Sequence, residues 1–211
     1  MKWWVIPAVA IGVVVAGVTA YGATAIFSGD SRWPFPWRKL YAASESMAPT
    51  VRSGTHLTAR RKPAAELKRG DIVAFSVGDN IWIQRVLGLP GDRVEMQAGL
   101  VVLNGKPVPQ TAAGSLEIEG EHAQIRSEQF PGEAAPHSVL DFGATPGDDM
   151  ASVLVPAGRL FLLGDNRDNS MDSRFPAQPA PIGGGLVAFD DVFGTISPED
   201  ISYDGANARK R

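Results

Sequence analysis

The stretch RVEMQAGLVVLNG, residues 93–105, indicates the class of fold on its own. Polar and apolar residues alternate from Arg93 to Gln97, which is the period of a strand with one buried face. A second apolar run, Leu100–Leu103, follows closely, and Asn104-Gly105 is the dipeptide that two-residue hairpin turns prefer. The stretch therefore predicts consecutive antiparallel strands joined by tight turns.

Short apolar runs separated by turn residues extend from this stretch in both directions, and no long helical periodicity appears after Trp37. The further predicted strands are Thr55–Arg60, Asp71–Val77, Ile81–Leu87, Ser138–Phe142, Ser152–Val155, Arg159–Leu163 and Val192–Ile196. We therefore predict a mostly β protein of antiparallel sheets or small barrels. Within it, the looser and acidic residues 105–150 are predicted to form an insertion or subdomain.

The composition excludes several classes of protein. The chain has 211 residues and a formal net charge of −3, so it lacks the basic surplus that a general nucleic-acid binder needs to neutralise phosphates. It contains no cysteine, which excludes disulfides, thiolate catalysis and cysteine-based zinc sites. The three histidines are scattered without the spacing of metal ligands, so neither a metal nor a cofactor is predicted.

The first thirty residues predict a membrane anchor. The segment Trp3–Phe27 has no charged residue and is long enough to span a bilayer as a helix, with tryptophans at its ends. We expect an anchor over residues 1–29 and an extracytoplasmic β domain over residues 30–211. The alternative is a cleaved leader, for which Ala23-Thr24-Ala25 provides the small residues at the right spacing. Basic residues flank both ends, so charge does not decide the orientation.

Two polar stretches could carry chemistry. Ser44-Glu45-Ser46-Met47-Ala48-Pro49-Thr50 is rich in turn-forming residues, and such a bend can present a serine hydroxyl at the surface. The second stretch, Gly164 to Arg174, is almost entirely polar and follows an apolar run. It is typical of a solvated loop or of a polar network at the end of a strand, with Asp172 and Arg174 paired and Ser170 aimed at a neighbour.

These two stretches, together with two others, resemble the motifs of bacterial type I signal peptidase, a membrane-anchored serine endopeptidase of the serine–lysine kind. Arg69-Gly70-Asp71-Ile72-Val73-Ala74-Phe75 is similar to the strand after the nucleophile motif, and Ile83 to Asp92 is similar to the strand that carries the base. All four stretches occur in the family's order, and the resemblance covers about residues 44–196 and the anchor. It implies a single-pass protein of the cytoplasmic (inner) membrane.

The resemblance also implies roles for single residues. Ser46 would be the nucleophile, while its own N–H and the Ser44 hydroxyl would form the oxyanion hole. Ser170 would orient the general base, and Asp172 and Arg174 would brace their loop. The partners implied are membrane lipid and the signal peptides of exported proteins, which the family cleaves after small-x-small sequences.

One position departs from the family pattern, because Gln84 occupies the position of the catalytic lysine. A carboxamide forms hydrogen bonds but holds no proton at neutral pH, so Ser46 lacks its expected activator. The chain is then a weak or inactive relative that binds peptides without cleaving them, an engineered trap, or an enzyme with another base such as His56 or Lys106. We expect residues 46 and 84 to lie in contact. Glu45, between the two serines, is expected to point to solvent.

Overall fold

Antiparallel strands make up nearly all of the regular structure in the computed structural model, which describes residues 35–179 and 184–202. The three helices in these ranges are single 3-10 turns at Ala64–Glu66, Phe189–Asp191 and Pro198–Asp200. None of the helices there has the length and apolar character needed to cross a membrane. The predicted anchor over residues 1–29 lies outside the described residues.

The largest of the three sheets has eight strands in the order β1-β2-β14-β3-β4-β12-β13, with β15 paired to β2. Its strands are β1 (Trp37–Tyr41), β2 (His56–Arg61), β3 (Ile72–Val77), β4 (Asn80–Gly88), β12 (Arg159–Leu163), β13 (Val187–Ala188), β14 (Val192–Ile196) and β15 (Ile201–Ser202). Alternate side chains of β3 and β4 point to opposite faces. The sheet therefore carries one apolar cluster around Leu57, Ile72 and Phe193, and another around Phe75 and Val86.

The second sheet contains the stretch from which the fold class was predicted. It has four strands in the order β11-β5-β6-β7, namely β5 (Arg93–Gln97), β6 (Leu100–Leu103), β7 (Lys106–Pro107) and β11 (Met150–Leu154). Asn104 and Gly105 both have positive φ, at 53° and 77°, as the predicted two-residue turn requires. Apolar residues of this sheet, such as Val94, Met96 and Val101, pack with Phe161 of the large sheet into one core.

The third sheet lies within residues 105–150, which the sequence predicts to be loose apart from one strand. It has the order β10-β9-β8, with β8 (Gln110–Ile118), β9 (Glu121–Glu128) and β10 (His137–Asp141). Seven of the nine residues of β8 are small or polar, and all seven are exposed or half-buried. Apolar and polar residues therefore do not alternate along most of the strand, and its periodic signal is missing. Ile118, Ala123 and Leu140 of this sheet pack on Ala48, which follows Ser46 by two residues.

The observed architecture confirms the prediction of a mostly β protein built from antiparallel sheets. Several predicted strands match the observed ones at both ends, including Arg93–Gln97, Arg159–Leu163 and Val192–Ile196. Three of the longer strands, β1, β8 and β9, are not among those predicted from the sequence. Strand β1 has the sequence WRKLY, in which two charged residues separate Trp37 from Leu40, so apolar and polar residues do not alternate along it.

Candidate active site

The turn that carries the predicted nucleophile lies between β1 and β2. Two backbone bonds close it, from Ala48 N to the Glu45 carbonyl (3.0 Å) and from Val51 N to the Met47 carbonyl (2.8 Å). Met47 and Ala48 are buried, which fixes the turn to the core and leaves the side chains of the serines outside. The Oγ atoms of Ser44 and Ser46 lie 3.1 Å apart and share a hydrogen bond.

A groove of about 260 Å³ lies beside the two serines. Its lining includes residues 41–44 and 46–47 around the serines, Val51, and residues 80–83 of β4. Strand β4 pairs with β3 along residues 80–85, whereas its pairing with β12 covers only residues 85–88. In the described part of the chain, no strand pairs with the second edge of residues 80–83. The groove therefore presents free backbone groups of a strand next to Ser46.

Gln84, at the predicted base position, is buried and is only 3% exposed. Its amide Nε2 donates a hydrogen bond to the carbonyl of Met171 at 2.8 Å. Within residues 35–179 and 184–202, no hydrogen bond joins Gln84 to Ser46, whose hydroxyl bonds to Ser44 instead. The expected contact of residues 46 and 84 is therefore not a direct hydrogen bond, because the amide is satisfied by a backbone carbonyl.

Ser170 lies next to Met171 and has a buried hydroxyl without a hydrogen-bond partner. Gly164 shows how close this hydroxyl comes to the nucleophile turn. A Cβ atom built on Gly164 would lie 2.2 Å from Ser170 Oγ and 2.5 Å from the carbonyl oxygen of Ser46. Gly164 thus brings Ser46, Ser170 and the partner of Gln84 into one neighbourhood, since no side chain separates the two segments.

Asp172 and Arg174 form the predicted ion pair. The guanidinium donates from Nε and Nη2 to both carboxylate oxygens of Asp172, each at 2.9 Å, and also donates to the carbonyl of Arg167. The Asp172 carboxylate additionally accepts a hydrogen bond from Gly164 N at 3.0 Å. The pair therefore fixes the loop to the segment that contacts Ser46.

Asp165 belongs to the polar stretch Gly164 to Arg174, but its sequence position alone predicts no role for it. Asp165 is 1% exposed and accepts two hydrogen bonds from Arg85, at 2.7 and 2.6 Å. It also accepts a hydrogen bond from the Thr50 hydroxyl at 2.5 Å, so it joins β4 to the nucleophile turn. Burial acts to raise the pKa of the Asp165 carboxyl, but the Arg85 guanidinium outweighs it and keeps that pKa below its usual range.

A second buried ionic group adjoins this pair. Glu128 is 1% exposed and accepts hydrogen bonds from both terminal nitrogens of Arg167. Burial opposes ionisation of Glu128, but the charge of Arg167 lowers its pKa well below the usual value. His137 lies between two carboxylates, with Nδ1 2.9 Å from Glu133 and Nε2 3.5 Å from Glu128. Burial acts to lower the pKa of His137, yet the two carboxylates raise it overall.

The expectation that Glu45 points to solvent is wrong. Its carboxylate accepts a hydrogen bond from Nε of Arg52 at 2.8 Å, and its side chain is only 10% exposed. The backbone carbonyl of Glu45 accepts a further bond from the side-chain amide of Asn166 at 3.1 Å. A cation within reach favours an inward carboxylate, so Glu45 helps to hold the turn between the two serines.

Comparison with known proteins relates the chain to one family. Signal peptidase I T of Bacillus subtilis (strain 168) is 33% identical over 166 residues, which cover 76% of this chain and 72% of the relative. Signal peptidase I P of Bacillus subtilis subsp. natto is 30% identical over 180 residues, covering 83% and 82%. A crystal structure of a signal peptidase I from Enterococcus faecalis V583 aligns with a TM-score of 0.37 at 23% identity, covering 63% of this chain and 97% of that one. Residues 11–198 match the family model described as signal peptidase, peptidase S26, and the chain therefore belongs to that family of serine peptidases.

Proposed function

We propose that this chain binds the signal peptides of exported proteins in the groove beside Ser46 and acts on them as a serine endopeptidase. The proposal assigns Ser46 as the nucleophile, and it assigns the Ser46 N–H and the Ser44 hydroxyl as the oxyanion donors. The observation that carries it is the hydroxyl pair of Ser44 and Ser46 at the rim of a groove with a free strand edge.

The shape of the groove supports an extended peptide as the ligand. A peptide that adds to the free edge of β4 forms backbone hydrogen bonds and directs alternate side chains into the protein. The groove is small, at about 260 Å³, and Ile81, Trp82 and Ile83 contribute to its lining. Such a groove favours small side chains at alternate positions, which matches cleavage after small-x-small sequences.

The reaction needs a group that takes the proton of Ser46 when Oγ attacks the peptide carbonyl. Gln84 does not supply it, since a carboxamide is not basic and its Nε2 is engaged with Met171. The loss of a general base typically lowers the rate by about 10²–10⁴-fold. We therefore propose slow cleavage for the chain as it stands.

A second candidate function is peptide binding without cleavage, as in a natural inactive relative or an engineered trap. The observation that favours it is the hydrogen bond from Gln84 to the Met171 carbonyl, because the amide at the predicted base position is engaged there. The Ser46 hydroxyl bonds to Ser44 instead. The groove and its free strand edge do not depend on the base, so binding would persist. This candidate predicts saturable binding of leader peptides and no turnover.

We propose the cytoplasmic (inner) membrane as the location, with an anchor in residues 1–29 and the β domain on the extracytoplasmic face. Support in the described residues comes from the start of the β domain. Trp37 and Tyr41 are 44% and 60% exposed and lie on one face of β1, opposite buried Arg38 and half-buried Leu40. Phe35, just before the strand, is 40% exposed and stacks on Trp37. Aromatic rings on one face of a strand suit the lipid–water interface.

The direct test introduces lysine by Gln84→Lys and measures leader removal from a preprotein with a small-x-small site. We expect cleavage to rise by about 10²–10⁴-fold, because an amine at this position can take the Ser46 proton. The double variant Ser46→Ala, Gln84→Lys serves as the control and should be inactive. Equal activity of the single and double variants would contradict the role of Ser46.

Binding and turnover assays on the unaltered chain distinguish the two candidate functions. A binding assay with a fluorescent leader peptide should show affinity that Ser46→Ala leaves unchanged under either candidate. Turnover that Ser46→Ala abolishes would establish slow cleavage, whereas binding without turnover would establish the non-cleaving candidate. A lack of saturable binding would contradict both.

A further inference from the structure

Asn166 donates hydrogen bonds to the backbone on both sides of the predicted nucleophile. Its side-chain Nδ2 donates to the carbonyl of Glu45 at 3.1 Å, and its backbone N–H donates to the carbonyl of Ser46, also at 3.1 Å. These two carbonyls belong to the peptide units that flank the Cα atom of Ser46. Since a peptide unit is planar, one residue restrains both planes next to the nucleophile.

The peptide unit between Glu45 and Ser46 also contains the N–H that we assign to the oxyanion hole. This unit is trans, so its C=O and its N–H point in opposite directions. Asn166 holds the C=O end, and the N–H end therefore points away from Asn166. Within residues 35–179 and 184–202, the N–H of Ser46 forms no hydrogen bond, so it is free to donate to a ligand.

Asn166 is itself fixed by the neighbouring three-stranded sheet. It is 1% exposed and forms a β-bridge with Leu140 of β10. The residues on either side complete the bridge, because Leu140 N donates to the Asp165 carbonyl at 2.8 Å and Arg167 N donates to the Leu140 carbonyl at 3.2 Å. A residue locked in this way holds a neighbouring catalytic group more accurately than a mobile loop does.

The side-chain amide of Asn166 acts only as a donor. Its Oδ1 is buried and, among the described residues, has no hydrogen-bond partner. The Glu45 carbonyl, in contrast, also accepts a bond from Ala48 N at 3.0 Å, which closes the turn without Asn166. Removing the amide should therefore leave the turn folded, because an unpaired acceptor is lost together with the donor. What is lost is the restraint on the peptide plane.

We propose that Asn166 is a positioning residue for the reaction at Ser46, and that it fixes the peptide plane so that the Ser46 N–H faces the oxyanion in the groove. Because Asn166 is buried and bonds to the backbone of the turn, it acts through Ser46 and not on the peptide itself. An oxyanion donor contributes only where it faces the position at which negative charge develops. The inference rests on the proposed function, since it requires that Ser46 attack a peptide carbonyl.

The test compares two asparagines of one loop in the Gln84→Lys variant, in which cleavage is expected to be fastest. For Asn166→Ala, we expect kcat on a leader peptide to fall by about 10–10²-fold, because small misplacements of reacting groups have effects of this size. KM should change by less than about twofold, since the lost interaction acts in the transition state. Asn169→Ala makes the same change at an exposed position of the loop and should leave both constants unchanged.

A second variant in the same background tests the donor itself. Asn166→Asp keeps the shape of the side chain but presents a carboxylate oxygen to the Glu45 carbonyl, and it regains an O–H donor when acid protonates it. The ratio of kcat for Asn166→Asp to kcat for Asn166→Ala should therefore rise as the pH falls, which a role in packing alone would not produce. Urea unfolding checks that each variant is folded. If Asn166→Ala is not, the pH profile of Asn166→Asp is compared with that of Gln84→Lys.

Unchanged kcat in Asn166→Ala, equal losses in Asn166→Ala and Asn169→Ala, or a ratio that does not depend on pH would overturn the inference. A rise in KM without a fall in kcat would overturn it too, because it would assign Asn166 to substrate binding. If Gln84→Lys itself does not cleave, the proposed function fails and the inference fails with it. Cleavage by Gln84→Lys that Asn166→Ala leaves unchanged refutes the inference alone.

Discussion

Gln84 and Arg85 are neighbours on β4, yet they lie in opposite kinds of environment. Gln84 is uncharged and donates to the carbonyl of Met171, the residue that follows the unpartnered Ser170. Arg85 forms a bidentate pair with Asp165 and donates to the carbonyl of Gly70. Adjacent residues of a strand point to opposite faces, so one strand separates a sparsely bonded face from an ionic one.

The difference indicates a division of labour between the two faces. Buried charges that are fully paired stabilise only their own arrangement and become costly when one partner is removed. Sparsely bonded hydroxyls leave capacity for a ligand, at a small cost in stability. We therefore expect stability to depend mainly on the ionic face, and less on the face of Gln84.

The largest effect should follow from a change on the ionic face. Asp165→Asn removes the carboxylate that hydrogen-bonds to Arg85 and leaves the buried guanidinium with Glu133 alone, 3.6 Å from Nη1. We expect a loss of about 3–5 kcal/mol in the free energy of unfolding. Gln84→Leu on the opposite face leaves only the Met171 carbonyl unpaired, which corresponds to about 1–3 kcal/mol. Urea unfolding of both variants measures the contrast. Equal losses would contradict the division.

A pair of serines sharpens the comparison within one loop. Ser173 Oγ donates to the Gly185 carbonyl at 2.7 Å and accepts from Leu162 N at 2.9 Å, so Ser173→Ala should destabilise the protein by about 1–3 kcal/mol. Ser170→Ala removes a buried hydroxyl without a partner, so it should leave stability unchanged or raise it by up to about 1–3 kcal/mol. Denaturation midpoints of the two variants test this. A larger loss at Ser170 would refute its assignment to the sparsely bonded face.

The ionic face should also make stability depend on pH through His137. Burial lowers the pKa of His137, but Glu128 and Glu133 raise it above its ordinary value, with Arg85 opposing and Asp165 assisting them. A raised pKa gives stability that is complete below about pH 6.5 and is lost as the pH rises through the folded value. One proton corresponds to a slope of at most about 1.4 kcal/mol per pH unit.

The measurement compares urea unfolding of the unaltered chain and His137→Gln from about pH 6 to pH 9. The stability difference between them should shrink as the pH rises. His122→Gln, at an exposed histidine of the neighbouring strand β9, is the control and should leave the pH profile unchanged. A constant difference across the range would argue against a protonated His137 in the ionic face.

The smallest effect is expected at the ion pair between Glu45 and Arg52. Its arginine is 29% exposed, and such pairs contribute about 0–1 kcal/mol. Glu45→Gln should therefore lower stability by less than about 1 kcal/mol, with Glu121→Gln at the exposed tip of the β8–β9 hairpin as the reference. Thermal unfolding at low and high salt measures it. A loss of several kcal/mol would place Glu45 with the ionic face instead.

The sequence predicts those parts of the fold that depend on local patterns. The alternation in Arg93–Gln97 and the turn at Asn104-Gly105 specify their structure within a few residues, and both are observed. Strand β8 is not predicted because its residues are mostly exposed and small. Its pairing with β9 is what defines it as a strand. Non-local pairing carries no periodic signal.

The candidate site shows the same limit. The resemblance implies roles for Ser46 and residue 84, but it does not specify what each side chain contacts. The bond between Gln84 and Met171 joins positions 87 residues apart, and that between Arg85 and Asp165 joins positions 80 apart. Such partners follow from the packing of β4 against the loop after β12, which a single sequence does not encode locally.

Gly164 allows the Ser170 segment to pack directly against the backbone of Ser46. Any larger residue there would push the Ser170 segment away from the backbone of Ser46, since its Cβ would overlap both. Glycine is thus demanded by packing alone, whether or not a base stands at position 84. A chain that binds peptides without cleaving them would need this glycine as much as an active enzyme would, so Gly164 does not distinguish the two candidate functions.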